Sequence, residues 1–474
     1  MKIHYYIISI ITILLSVFSS NIHAQKLTSE QCRDIALKNN RQIKKAEIVS
    51  RQTEWDAKAY KSMFYPRIDL LMTDVYSMGK GSFTLEGGNL PIFELNAAAG
   101  QYIPKAIVTE EGQTVFTEYA YFPDQDLDFK IKNFFTAGIS LTQPIYMGGK
   151  ITTAYQMAQI GQQLASLNTS LTEDETIVKT EEAYAMAVKT KELITVANSY
   201  KTLLDELNKN VESAVRHGMK TKNDQIKVQV KINEAELNIL KAENGYRLAK
   251  MNLCNIIGLP VTQEIDVETA ESDDSTLADI QEYSNAGITS RYEYELLNKK
   301  VELADKEIKL TKSDYLPNVI LMGGYTYSNG LELAGKRLLD SASPSVAIGV
   351  KIPLVNFGES TNKMNSARAK SQIARLEQDE LNEKMQLELQ QAVNNVTEAR
   401  QELILTESAL RENEENIRLS RQQYDVGLEP LSDLLEAQAL WQKAYADHVE
   451  AKCQYRLSQL KALKASGMIS RLNH

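Results

Sequence analysis

Three cysteines in 474 residues, at 32, 254 and 453, lack metal or redox spacing, so stability falls to packing of buried thiols among apolar neighbours and not to disulfides. Histidine is nearly as scarce. Beyond the first two dozen residues only His217, His448 and His474 remain, and none has a second ligand at helical spacing. No nucleophile elbow, phosphate loop or zinc motif occurs, which argues against an enzyme and calls for no cofactor and no metal. A net charge of −9 disfavours nucleic acid as a partner. Past the N-terminus no run of eighteen apolar residues occurs, so no membrane helix is expected. Proline is missing from 150–216 and from 361–425, which leaves both stretches free to be helical throughout.

What is present starts with an address. Residues 1–24 read as a secretory signal peptide: Lys2, the apolar run 7–18, then SSNIHA ending in Ala24, with cleavage before Gln25. A retained N-terminal anchor is the competing reading. Cys32 lies several residues too late to carry a lipid at the processed end. The remainder is duplicated. A constant offset of 209 residues pairs Pro144 with Pro353, Gly149 with Gly358, Gly218 with Gly427, Asp224 with Asp433 and Gly258 with Gly467. Upstream, KSMFYP (61–66) pairs with KSDYLP (312–317) at an offset of 251, so the first copy carries an insertion between Pro66 and Pro144. The halves are 25–287 and 288–474, each reading helix, strand, loop, strand, long helix, turn, helix.

Strands are expected near 66–77, 134–145, 317–328 and 345–354, about ten residues each, as a tilted membrane strand requires. Val346, Ile348, Val350 and Ile352 alternate with Ala347, Gly349 and Lys351; Phe135, Ala137, Ile139 and Leu141 alternate with Thr136, Gly138, Ser140 and Thr142. A small soluble sheet would share this pattern, but strands that join long helices at one end favour the membrane. The segment 78–133, rich in glycine and aromatics, is expected to be a long outer loop. Helices are expected over about 27–63, 150–216, 224–257, 288–314, 361–425 and 433–466. Met385, Leu389, Ala392, Val396, Ala399, Leu403, Leu410 and Ile417 follow alternating spacings of four and three, a coiled-coil seam with Thr406 and Asn413 in the gaps. A helix of some 66 residues is ~100 Å long, and the shorter ones are about half that.

Membrane strands must close into a barrel, and four cannot, since the smallest barrels have about eight. Two chains supply eight strands and a filled lumen; three supply twelve and a passage. In this light the chain resembles the TolC-type outer-membrane efflux channels over nearly its whole length. The resemblance is carried by LTSEQCRDIALKNN (27–40), FYPRIDL (64–70), SLTQPIYMGGK (140–150), RHGMKTKNDQIKVQVKINEAE (216–236), YLPNVIL (315–321), VKIPLVNFGE (350–359) and YDVGLEPLSDLLEAQ (424–438). It implies a mainly α chain with a membrane β-barrel: a homotrimer with a twelve-stranded barrel, four strands per chain, continued by a coiled-coil α-barrel. It further implies an outer-membrane location extending into the periplasm, and partners in outer-membrane lipid, a periplasmic adaptor and an inner-membrane pump. Residues 259–287 and the tail after 467 would form an equatorial belt. The rival reading is a periplasmic coiled-coil scaffold, or the adaptor itself, without a pore.

The two helix reversals, at Gly218 and Gly427, would then form the periplasmic tip. Gly427 and Pro430 break the last long helix, and Ser432 is the expected N-cap of the next. Asp433 and Glu436, three apart, share a helix face, and threefold symmetry would gather six carboxylates at a narrow, cation-attracting aperture. By resemblance these line the closed gate, and Asp224 and Tyr424 make polar contacts that hold the hairpins. Glu429 stands where many members of the family carry a basic residue at the turn. The bland reading is that Asp224 and Asp433 serve the helix macrodipole while Glu436 is merely solvated. His217, Gly218 and Met219 with Val426, Gly427 and Leu428 resemble the family's adaptor contacts; alternatively the glycines only end helices.

Overall fold

The computed structural model describes residues 25–97, 100–268 and 287–469; the leader expected at 1–24 and most of the segment 259–287 expected to form a belt lie outside these. In chain order, β1 (Gln25–Leu27) leads into α1 (Ser29–Asn39), α2 (Arg41–Ser62) and β2 (Arg67–Leu85). Six short strands follow: β3 (Gly88–Pro91), β4 (Phe93–Asn96), β5 (Gln101–Pro104), β6 (Ala106–Val108), β7 (Thr114–Phe116) and β8 (Tyr119–Phe122). Then come β9 (Gln125–Met147), α3 (Lys150–Arg216), α4 (Lys222–Ile257) and β10 (Ile265–Val267). The second half holds α5 (Tyr292–Ser313), β11 (Asn318–Leu333), β12 (Lys336–Lys351), α6 (Glu359–Asp425) and α7 (Leu431–Ala465). The chain is mainly α with a strand set in each half, and its long helices α3 and α6 are both 67 residues.

The chain divides into a helical unit (1–58, 156–308, 364–474) and a sheet unit (59–155, 309–363). Among its described residues the helical unit has three separate apolar clusters. One joins Ile177 and Leu297 to Met385, Val396 and Leu463. A second joins Leu27, Cys32, Tyr184, Leu253, Cys254 and Val267, where β1 pairs in parallel with β10. The third lies beside the two helix reversals. Along the α6 seam Met385, Leu389, Ala392, Val396 and Ala399 are buried and Leu403, Leu410 and Ile417 half-buried, as the four–three spacing demands. Its polar members bond to their own helix: the Asn413 amide donates to the Ala409 carbonyl at 2.8 Å and the Thr406 hydroxyl to that of Glu402 at 2.9 Å. The buried carboxylate of Glu181 is paired. Glu181 accepts from Arg33 at 2.8 Å, from Arg456 at 3.4 Å and from the Ser29 hydroxyl, so its ion finds donors to replace water.

Two expectations are corrected here. The single helix over 27–63 is two, because Asn40 leaves helical geometry and its side-chain oxygen accepts from the amide of Gln42 at 2.7 Å, capping α2. The strands near 66–77, 134–145, 317–328 and 345–354 are longer than ten residues: β2 has 19, β9 has 23, β11 and β12 have 16 each. The outer segment 78–133 is accordingly not an open loop. It consists of the ends of β2 and β9 plus three two-stranded ribbons, β3–β8, β4–β5 and β6–β7, that meet at Lys105. There the Lys105 ammonium lies 3.0 Å from Glu118 and 3.8 Å from Glu94.

Candidate functional site: an open sheet and a pair of helix reversals

The sheet is antiparallel throughout, in the order β12-β11-β9-β2, with β12 and β2 as unpaired edges. Its register sorts side chains by face, since neighbours along a strand point oppositely. One face collects Val346, Ile348 and Val350 of β12, Val319, Leu321 and Tyr325 of β11, Ile139 and Leu141 of β9, and Ile68, Leu70 and Met72 of β2. The other is mainly small or polar, with Ser343, Ser345, Ala347, Gly349, Gly324, Thr326, Gly138, Ser140, Thr142, Asp69 and Thr73. None of the described residues covers the outer part of the apolar face: Val346, Ile348 and Val350 are 81%, 69% and 59% exposed. Pro144, which has no N–H to give, sits beside a register shift at Val319/Ile320, where a missing ladder bond costs least. A sheet that is dry on one side, wet on the other and open at both edges can satisfy its backbone in lipid only by closing with further strands.

In the helical unit the reversals α3–α4 and α6–α7 share one geometry. Gly218 and Gly427 have φ of 74° and 78°, the left-handed region that a side chain disfavours, and a Cβ at either would meet open space. It is therefore the backbone conformation, not crowding, that requires glycine. In each turn the next amide reaches back over the helix end, Met219 to the Ala214 carbonyl and Leu428 to that of Gln423, both at 2.8 Å. His217, Met219, Val426 and Leu428 are exposed around these glycines, and His217 Nδ1 lies 2.8 Å from the Ser213 carbonyl. Beneath them Tyr200, Leu204, Leu207 and Val211 of α3, Val228 and Ile232 of α4, Tyr424 of α6, and Leu431, Leu434 and Leu435 of α7 form one apolar cluster.

The two turns are closed differently. Thr221 and Asp224 form a capping box: the Asp224 amide donates to the Thr221 hydroxyl oxygen at 3.3 Å, and Asp224 Oδ2 accepts from the Thr221 amide at 3.1 Å and its hydroxyl at 2.7 Å. These bonds hold the Asp224 carboxyl below the usual range. At the second turn the expected Ser432 cap is replaced by Pro430, which makes no side-chain cap; α7 starts one residue before Ser432, whose hydroxyl instead donates to Asp433 Oδ1 at 2.8 Å. Asp433 and Glu436 both face solvent on the first turns of α7. Tyr424 and Asp224 are near enough for the carboxylate to push the phenol up, after burial as the larger cause, yet no hydrogen bond joins them. The Tyr424 ring instead lies under the Lys220 ammonium, 4.8 Å from its centroid. Glu429 is half-buried, and its Oε2 has no hydrogen-bond partner among the described residues; nor do Ser420 Oγ and Gln438 Oε1.

The pattern of the outer membrane efflux proteins matches residues 33–259 and 297–467. The chain belongs to the outer membrane efflux protein family. Its location is accordingly the outer membrane, extending into the periplasm, and the family is one of efflux channels, not of enzymes. Solved structures share its fold. CusC superposes with a TM-score of 0.72 at 12% identity, covering 93% of this chain and 92% of the other. The Campylobacter jejuni CmeC outer membrane channel gives 0.70 at 17% identity, covering 93% and 85%. VceC from Vibrio cholerae gives 0.69 at 15% identity, covering 93% and 96%. No individually curated protein matches the sequence.

One set of residues escaped the reading of the sequence. On α4, Ile226, Val230, Leu237, Leu240, Leu248 and Met251 form an exposed apolar stripe, and α6 exposes Ile373, Leu376, Leu387, Leu405 and Leu419 away from its buried seam. The signal was there, as spacings of three, four and their sums. Periodicity marks an apolar stripe, but it does not say whether the stripe's partner is in the same chain.

Proposed function

We propose that three copies of this efflux-family chain form the exit duct of a tripartite efflux or secretion system. Substrate passes by diffusion from an inner-membrane pump and periplasmic adaptor to the cell exterior. The observation that carries this reading is the four-stranded sheet with one bare apolar face and two open edges. Three such sheets supply twelve strands, enough to close around a passage, with the small and polar face lining it. The exposed stripes on α4 and α6 support lateral packing of the helical units into a tunnel. In this assembly the Gly218 and Gly427 turns form the periplasmic tip. Asp433 and Glu436 supply a ring of carboxylates at its aperture, and His217, Met219, Val426 and Leu428 around the two glycines dock the adaptor. The capping box of Asp224 and the burial of Tyr424 keep each hairpin packed. The measurement is the mass of the detergent-solubilised protein from outer membranes, together with its conductance in planar bilayers. A trimer that conducts ions is expected; a monomeric, water-soluble coiled coil without conductance would overturn the channel in favour of a scaffold.

A further inference from the structure

In the sheet unit the end of β9 meets the start of β11, Met147 opposite Asn318, and the turns on either side are in contact. Gly148 has a φ of 61°, and a Cβ on it would lie 2.7 Å from Leu316 Cβ and 2.8 Å from the Ser313 carbonyl oxygen. Next to it, Lys150 Nζ is 2.7 Å from Asp314 Oδ1. The turn after β9 thus nests against the helix-to-strand junction before β11.

The same two pieces recur as the turn after β12 and the junction before β2, which sit at the two open edges and have no such partner among the described residues of one chain. An offset of 209 carries Gly148 to Phe357, and an offset of 251 relates Ser62 and Tyr65 to Ser313 and Leu316. Phe357 keeps the left-handed backbone of its counterpart, with a φ of 44°, although it is not glycine, and its side chain is 99% exposed. Leu354 and Val355 before it are 87% and 72% exposed. On the other side Tyr60, Met63, Phe64 and Tyr65 are exposed at the end of α2. The ion pair is not repeated: Asp314 corresponds to Met63, and Glu359, the counterpart of Lys150, pairs with Lys363 of its own helix at 2.7 Å. Two apolar surfaces therefore stand where the intrachain junction has a glycine contact and a salt bridge.

We infer that in the assembled protein the turn 354–357 of one copy clasps the junction 60–65 of the next, with Phe357 against Tyr65 and the Ser62 carbonyl. This rests on the trimer proposed above, because only closure of β12 of one copy on β2 of its neighbour brings the two together. The contact takes the place of the chain's own β9–β11 junction across the subunit seam but is set wider, because a Cβ at the glycine's spacing would clash, and apolar burial replaces the glycine contact and the ion pair. The occupant is a second copy of the chain; acyl chains of lipid are the alternative that the test separates.

The full chain carrying Cys453→Ala, Tyr65→Cys and Phe357→Cys is oxidised in isolated outer membranes. Covalent dimers and trimers are expected on heated denaturing gels, and none from either Tyr65→Cys or Phe357→Cys alone. Phe357→Ala is expected to cause loss of the detergent-resistant trimer band. Absence of cross-links together with an undiminished trimer band in Phe357→Ala overturns the clasp while leaving the trimer standing, as light scattering of the wild-type protein would show. Quenching of a fluorophore at Phe357→Cys by brominated acyl chains overturns it in favour of lipid. A monomeric wild-type protein overturns the trimer and the clasp together.

Discussion

On the proposal that the two helix reversals form a closed tip, Tyr424 separates two ways of holding it shut, by packing or by a polar lock. Its ring is buried in the cluster formed by α3, α4, α6 and α7, while its hydroxyl makes no hydrogen bond to Asp224, whose carboxylate is engaged by Thr221 within its own turn. Tyr424→Ala empties the ring's place at a cost of about 3–5 kcal/mol per copy. Tyr424→Phe keeps the volume and the Lys220 ammonium above the ring, an interaction of roughly 0.5–1 kcal/mol. With tenfold in population for every ~1.4 kcal/mol, a 3 kcal/mol loss moves the closed-to-open ratio about a hundredfold even if only one copy's penalty is relieved on opening. In planar bilayers Tyr424→Ala should therefore raise the open fraction by about two orders of magnitude, and cells carrying it should become sensitive to antibiotics too large for the closed tip. Tyr424→Phe should resemble the wild type in both assays. Equal leakage from Phe and Ala would place the lock in the hydroxyl and refute packing as its basis; a silent Tyr424→Ala would remove Tyr424 from the gate.

Replacing both Asp433 and Glu436 with Ala would remove six carboxylates from the proposed trimeric aperture and should abolish cation preference in reversal-potential measurements, whereas unchanged selectivity would exclude the ring. Asp174 is pushed up to about 6 by burial first and then by Glu293 and Glu173. Its protonated form is thus favoured in the folded state, and stability falls as pH rises from about 4 to 6. Asp174→Asn should stabilise at pH 7 by about 1 kcal/mol, after discounting the shift for partial solvent screening, and the gain should vanish near pH 4 in a thermal melt. On the sheet, Ile348→Arg puts a cation on the apolar face at a cost of about 2–4 kcal/mol near the membrane midplane and should lower the yield of folded protein in outer membranes. Ala347→Arg, one residue away on the opposite face, should be tolerated and should alter conductance instead.

Much of the architecture is local in origin and legible along the chain. Helical and strand periods, the glycines that end helices and the constant repeat offset are one-dimensional properties. That is why α3, α6, the turns at Gly218 and Gly427 and the alternation around Val346–Ile352 can be read without a structure. The apolar alternation marks only those stretches of strand that present a dry face, so β2 and β9 look like loop where they run on beyond it and the ribbons around Lys105 are invisible.

Other features are decided by distance in space. A carboxylate at the start of a helix has the same sequence signature whether it caps or gates; hydrogen bonding assigns Asp224 to its own Thr221, whereas Asp433, which accepts from the neighbouring Ser432 hydroxyl, and Glu436 stay exposed. Likewise, apolar residues on α4 and in the turn 354–357 carry no mark of whether they are covered. Periodicity fixes which side chains share a surface, because it follows from backbone geometry alone. Which surface lies against which depends on contacts between residues hundreds of positions apart, and only the folded chain brings those together.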